Sequence, residues 1–258
     1  IWRGTRPERG TEFRAMTGPQ DNTEATSHTP TRATPRVGVV LPAAGSGRRM
    51  GGVKKAFLEL AGEPVLSHAL RPFLSEPRVV AVVVALAPDD AVEPPAWIAL
   101  LDQRVQVIAG GETRTDSVRN AIAALPHDVD IIAVHDAARP LVTPAMIAQC
   151  IDVACAGCGA VMGCPAADTM KQVDEGGRVV GTPPRATMWH AHTPQVFPAD
   201  LLRRAYGGGG HGTDDAALVE SVGGVVQMID GGSSNIKVTR PDDVLIAEAI
   251  LAARHHRA

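Results

Sequence analysis

Six short, continuous apolar runs recur along the chain from residue 37: Val37–Leu41, Val79–Leu86, Val105–Ile108, Ile131–Val134, Ala160–Gly163 and Val225–Ile229. Runs of this length without polar alternation predict strands buried on both faces, as in a parallel sheet. Segments with helical spacing lie between them, at about Val65–Leu74, Trp97–Leu101, Thr115–Leu125, Pro144–Ala156 and Asp214–Val222. Pro144 and Pro241 stand where a first helical turn needs no N–H, and Thr143 supplies a capping hydroxyl. Strands alternating with helices predict an α/β fold, doubly wound around a mostly parallel sheet. Ligands of such sheets bind beyond the carboxyl ends of the strands, which directs attention to the residues just after Leu41, Ile108 and Val134.

Two stretches break the pattern. Residues 1–36 are rich in Thr, Pro, Arg, Gly and Glu with almost no apolar periodicity, so they bury too little surface to offset ordering entropy. A disordered extension is predicted there, with Met16 a candidate start and residues 37–258 forming the folded domain. The second stretch, about 166–194, carries the turn sequence Asp174-Glu175-Gly176-Gly177 between Met170–Val173 and Arg178–Val180. It predicts a β-hairpin arm, and because an exposed hairpin is marginal alone, packing on a second subunit is expected.

Composition narrows the partners. Hydrophobic content is 45 % with only 3 % aromatic residues, so Val, Leu, Ile and Ala must fill the core. A net charge of −3 with mixed signs argues against nucleic acid as a partner. No stretch approaches the ~20 apolar residues that cross a bilayer, and no signal-peptide core is evident, so no membrane association and a cytoplasmic location are expected. The cysteines are Cys150, Cys155, Cys158 and Cys164; one CxxC without a second pair reads as buried thiols rather than a zinc or redox site.

The chemistry concentrates in a few loops. After the first strand, Pro42-Ala43-Ala44-Gly45-Ser46-Gly47-Arg48-Arg49 combines glycines, which let N–H groups approach phosphate oxygens, with guanidinium charge. It fits neither common phosphate template: GxGxxG fails at Met50, and the P-loop string fails at Val53. Taken alone it is a phosphate cradle or a glycine-rich turn with solvated arginines. Lys55 can reach back to such phosphates or lie solvated at the surface. Gly110-Gly111 and Ser117 can read a base edge or form a plain loop. Asp136, at a strand's carboxyl end, suits Mg²⁺ or a ribose hydroxyl, or pairs with Arg139. His135 reads as structural. His190 and His192 share a strand face without a third metal ligand, so packing is expected. Asp214 and Asp215 read as helix-start acids.

Five segments in order, spanning roughly 37–253, sharpen this. They are Leu41–Met50 with Lys55-Ala56-Phe57; Gly110–Val118; His135–Pro140; Asp168–Lys171 with Trp189–Gln195; and Asn235–Asp243. Together they resemble the 2-C-methyl-D-erythritol 4-phosphate cytidylyltransferases of isoprenoid precursor synthesis. The resemblance implies a Rossmann-like nucleotidyltransferase fold that moves a cytidylyl group from CTP to a polyol phosphate, releasing pyrophosphate. It implies CTP contacts from Pro42, Ala43, Ala44, Gly45, Ser46, Gly47, Gly111, Ser117, Asp136 and Ala137, with Ala43, Ala44, Gly111 and Ser117 at the cytosine. Arg49 and Lys55 would stabilise charge on the α-phosphate, and Asp136 would hold Mg²⁺ or another divalent metal. Thr169, Arg185 and Lys237 would hold the methylerythritol phosphate. The arm would be exchanged within a homodimer, with Arg185 in its own or the partner subunit's site. Departures are a short linker, Gly51-Gly52-Val53, and Lys54 where proline is usual, which leaves Lys54 a rival to Lys55. Ser234 also stands where an acid is common. The alternative is a cytidylyl- or uridylyltransferase of ribitol phosphate or another sugar phosphate. A dinucleotide oxidoreductase is disfavoured by the failed GxGxxG, and a non-catalytic nucleotide sensor by the pair Arg49 and Lys55.

Overall fold

A computed structural model describes residues 34–45, 54–210 and 212–256. The described chain runs β1 (Val37–Pro42), a ribbon of β2 (Glu59–Leu60) and β3 (Glu63–Pro64), α1 (Val65–Leu74), β4 (Val79–Leu86), α2 (Pro88–Val92), α3 (Ala96–Leu101) and β5 (Val105–Ala109). It continues with α4 (Arg114–Ala124), β6 (Ile131–Val134), α5 (Pro144–Cys155) and β7 (Gly159–Pro165). A second ribbon, β8 (Gln172–Val173) and β9 (Val179–Gly181), precedes β10 (Trp189–Pro198), α6 (Ala199–Gly207), α7 (Asp215–Ser221), β11 (Val226–Asp230) and α8 (Pro241–His255).

Seven strands form the central sheet in the order β11-β7-β10-β6-β1-β4-β5. All pairings are parallel except those of β10, which runs antiparallel to both β6 and β7. The order reverses at β1: the chain moves outward through β4 and β5, then returns to the other side of β1 with β6. A crevice opens at such a reversal, beyond the carboxyl ends of β1 and β6.

Strand alternation feeds two apolar layers. Val39, Leu41, Val82 and Val84 pack against α1, α3 and α5, while Val40, Val83 and Ala85 pack against α4, α6 and α7. A third cluster joins Leu60, Val65, Leu141 and Val238 to Ala247 of α8. Helix starts follow local chemistry. Thr143 Oγ1 accepts from the Met146 N–H, Asp214 Oδ1 accepts from the Ala217 N–H, and Thr113 with Asp116 forms a capping box at α4. Each such cap is worth about 1 kcal/mol.

All six predicted strands and five predicted helices are present, with ends displaced by at most two residues. The pattern missed β10, α6, the short α2 and the β2–β3 ribbon. Trp189–Pro198 carries two prolines, two histidines and an exposed first half, so apolar runs do not mark it. The hairpin forms around Asp174, whose Oδ1 accepts from the N–H groups of Gly176 and Arg178, and Gly177 takes φ +79°. Its first strand is shorter than predicted and its second is shifted by one residue, and residues 189–194 of the stretch belong to the central sheet through β10. Of residues 1–36 only Thr34, Pro35 and Arg36 are described, and Arg36 is tied to Asp128 and Asp130. No helix among the described residues is long and apolar enough to cross a membrane. None of the four cysteines is in a disulfide; burial pushes the Cys150 thiol up to about 12.

Phe73 of α1 is fully buried and its ring lies 5.1 Å from that of His135, joining the helix layer to the loop after β6. Phe73→Ala is expected to cost about 3–5 kcal/mol of unfolding free energy, measured by urea titration at pH 7.

Candidate active site

The crevice at the reversal holds a cavity of about 540 Å³. Its walls come from four segments: Pro42–Gly45 after β1, Gly111–Ser117 around the start of α4, Asp136–Ala138 after β6, and Lys237 and Thr239 before α8, with Lys55 and Ala56 at the rim. The first two are anchored on the end of β4, since the Ala43 N–H donates to the Ala85 carbonyl at 2.7 Å and the Gly110 N–H to the Leu86 carbonyl at 2.7 Å. Gly110 permits their approach, and Gly111 lets its loop close on the start of α4. A Cβ on Gly110 would lie 2.6 Å from the Ala44 Cβ, and one on Gly111 would lie 2.3 Å from the Asp116 Cβ. Gly45 has open space where a Cβ would stand.

Asp136 is the electrostatic centre. Its side chain is 12 % exposed; Arg114 Nε donates to Oδ1 at 2.9 Å and Lys237 Nζ to Oδ2 at 2.6 Å. Burial alone would raise its carboxyl, but the charges of Arg114 and Lys237 outweigh that and hold it well below the usual carboxylate range. The anticipated pairing with Arg139 is not the one formed; Arg139 Nη1 instead donates to the Asn235 carbonyl at 2.8 Å. Arg114 also forks onto Asp215, with Nη1 3.1 Å from Oδ1 and Nη2 2.8 Å from Oδ2, and the Tyr206 hydroxyl donates to Asp215 Oδ1. Burial beside Asp215 pushes the Tyr206 phenol far up, so it stays a donor. Asp214 caps α7 as read from the sequence, whereas Asp215 is wholly buried within this network.

A second set of bonds fixes the loop after β6. The Asp136 N–H donates to Thr193 Oγ1 at 3.0 Å, Thr193 Oγ1 lies 3.0 Å from His135 Nδ1, and His135 Nε2 lies 3.0 Å from the Arg139 carbonyl. A carbonyl only accepts, so Nε2 carries the proton, Nδ1 is bare, and the Thr193 hydroxyl donates to it. Thr193 reaches this position because β10 shifts register on β7 between Ala191 and Gln195. Asn235 Nδ2 donates to the Thr193 carbonyl and the Val238 N–H to the Ala138 carbonyl, both at 2.8 Å, which sets Lys237 over Asp136.

Of the residues singled out in the sequence, Pro42, Ala43, Ala44, Gly45, Lys55, Gly111, Ser117, Asp136, Ala137 and Lys237 line this one cavity. Ser117 also serves the loop itself, accepting from the Gly111 N–H at 3.0 Å and donating to the Thr113 carbonyl at 2.9 Å. Ser46, Gly47 and Arg49 lie outside the described residues. Thr169 and Arg185 are exposed on the arm and absent from the cavity wall, with Arg185 Nη1 donating to the Ala167 carbonyl at 2.8 Å. Lys54 forms an ion pair with Asp90 at 2.5 Å and does not line the cavity. Among the described residues no three His, Cys, Asp or Glu side chains group as a metal site. His190 is exposed; burial, reinforced by Arg139, holds the half-buried His192 ring down at about 4. Sequence reasoning missed Arg114, Thr193, Asn235 and Asp215. Thr113-x-x-Asp116 was the one available signal, a capping box that marks the helix start presenting Arg114.

Two expectations follow from this geometry. Gly110→Val should leave a folded protein whose nucleotide affinity falls at least about tenfold by calorimetry, because the Ala44 and Ser117 segments must separate. Burial lowers the His135 ring from 6.5 to about 4. The unfolded chain therefore binds the proton first, and stability is lost as pH falls from 6.5 toward 4, by on the order of 3 kcal/mol. Urea titrations at pH 7 and pH 4.5 should show this loss in the parent and a smaller one in His135→Gln.

A sequence model of the 2-C-methyl-D-erythritol 4-phosphate cytidylyltransferase family matches residues 37–253. The 2-C-methyl-D-erythritol 4-phosphate cytidylyltransferase of Acidobacterium capsulatum is 42 % identical over 238 residues, covering 86 % of this chain and all of the relative. That of Frankia casuarinae is 45 % identical over 223 residues, covering 85 % of this chain and 83 % of its own length. Among solved structures, the Thermus thermophilus 2-C-methyl-D-erythritol 4-phosphate cytidylyltransferase superposes with a TM-score of 0.70 at 32 % identity, covering 83 % of this chain and 98 % of its own. With a doubly wound sheet, a cavity at its strand reversal and matches along nearly the whole folded region, the chain belongs to the 2-C-methyl-D-erythritol 4-phosphate cytidylyltransferase family and is a nucleotidyltransferase.

Proposed function

We propose that this enzyme joins the phosphate of 2-C-methyl-D-erythritol 4-phosphate to the α-phosphorus of CTP. An acceptor phosphate oxygen forms the new P–O bond, the bond to the β-phosphate breaks, and pyrophosphate leaves with both electrons of that bond. The acceptor phosphate is already ionised at neutral pH, so no general base is needed and the protein's work is positioning and charge neutralisation. The observation that carries the reading is the pairing of Lys237 and Arg114 with one carboxylate, in a cavity that Lys55 also lines, beside a glycine-lined slot between Ala44 and Gly111.

In this reading Pro42, Ala43, Ala44, Gly45, Ser46 and Gly47 carry the nucleotide, with Ala43, Ala44, Gly111 and Ser117 bounding the cytosine. Asp136 and Ala137 meet the ribose side. Arg49 and Lys55 neutralise the α-phosphate, and Thr169, Arg185 and Lys237 hold the acceptor. The donor set at Asp136 suits Mg²⁺: a hard carboxylate whose two oxygens each accept one hydrogen bond and keep a further lone pair, with phosphate and water oxygens completing the shell. Bound there, the metal would add charge neutralisation across the phosphates. Exposed Thr169 and Arg185, together with the exposed valines 173, 179 and 180 of the ribbon, favour a homodimer in which the arm crosses to the partner subunit.

Lys55 lines the cavity while Lys54 does not, which favours Lys55 for the phosphate role. Lys55→Ala is expected to lower turnover about 10²–10³-fold with the fold intact, and Lys54→Ala only slightly. Pyrophosphate release with CTP, against UTP, and with or without methylerythritol phosphate is the assay. Release with no nucleotide and acceptor pairing would defeat the enzymatic reading. Val179→Asp with Val180→Asp is expected to shift the molecular mass in light scattering from dimer to monomer, and a monomeric parent would remove the arm's role.

A further inference from the structure

Asp136 has two cationic partners of unlike kind. Lys237 is a single ammonium on a loop, 39 % exposed and open to the cavity. Arg114 is a planar fork whose far edge is fixed by two parallel bonds to Asp215, a carboxylate with no solvent exposure. Asp215 Oδ1 takes a third bond from Tyr206, and Arg119 lies over the Tyr206 ring at 5.9 Å, so the anchor is part of the α4–α6–α7 packing. A buried ion pair of this kind is poor evidence of stabilisation, because desolvation offsets the attraction. What the fork does provide is direction: with both Nη atoms committed, Nε can only point at Asp136 Oδ1.

The asymmetry has a consequence for the acceptor site, resting on the reading above that Lys237 holds the acceptor phosphate. Lys237 cannot give its full charge to an incoming phosphate while it serves Asp136 Oδ2. If Lys237 were the only partner, its departure would leave a nearly buried carboxylate uncompensated, a state that opposes binding. Arg114 remains in place when Lys237 turns away. We propose that Arg114, locked by buried Asp215 and Tyr206, is a positioning residue that holds Asp136 in place so that Lys237 is free to transfer to the acceptor phosphate. Asp215 and Tyr206 act only through Arg114, since Asp215 is sealed from the cavity.

Steady-state kinetics of the parent, Asp215→Asn, Lys237→Ala and the double variant test this, with Tyr206→Phe as a milder lesion should Asp215→Asn fold poorly. Asp215→Asn is expected to raise KM for methylerythritol phosphate about tenfold while KM for CTP stays within about twofold, and Tyr206→Phe to do the same more weakly. In the Lys237→Ala background the Asp215→Asn step should leave acceptor KM almost unchanged, because the cation it liberates is gone. A merely structural role would lower the active fraction and kcat alone, or act equally with and without Lys237; either pattern overturns the proposal. An inactive parent would instead count against the reaction assigned above, which separates the two failures.

Discussion

A carboxylate taken almost out of water must find positive charge or give up its own, and Asp136 draws three distant parts of the chain together to keep it. Arg114 comes from the start of α4 and Lys237 from the loop before α8, each 101 or fewer positions away in sequence yet within 3 Å in space. Removing one member of such a set strands a charge, at a cost of about 3–5 kcal/mol, so the loops that carry the three are bound to one geometry. Three of the four segments that wall the cavity are those loops.

The sheet makes this convergence possible. Because strand order reverses at β1, the ends of β1 and β6 diverge and leave room between the two helical layers. Among the described strands of the central sheet only β10 is antiparallel, and it supplies what parallel strands could not. It runs toward the site from the opposite side, and its register shift delivers Thr193 to the amide of Asp136. The His135 ring, neutral and sealed beneath Phe73, passes that bond on to the Arg139 carbonyl, tying the floor of the site into the apolar core.

Among the described residues, the cations Arg114 and Lys237 already stand against carboxylates: Arg114 faces Asp215 and Asp136, and Lys237 faces Asp136. An arriving polyanion gains by taking over cations that are already placed. That is economical for a transfer between two phosphates, where orientation and neutralisation supply most of the rate.

The sequence alone determined the sheet, its flanking helices and the loops that border the cavity. Those features rest on local signals: apolar runs of strand length, capping residues, and glycines where two backbones meet, as at Gly110 and Gly111. It also drew Lys55, Asp136 and Lys237 into one candidate site through the family's segments. Tertiary structure alone decided who pairs with whom. Arg139 is the nearer cation to Asp136 in the chain, yet its guanidinium turns to Asn235, and Arg114 takes the carboxylate from 22 positions away. Lys54 and Lys55 are neighbours of the same chemistry, and only the fold sets Lys55 in the cavity wall and Lys54 against Asp90. β10 escaped notice because half of it is polar and its place is fixed by β6 and β7 on either side. Ion pairing depends on distance in space and on burial, neither of which is carried by residue type or spacing, so the fold was legible in the sequence while the wiring of its site was not.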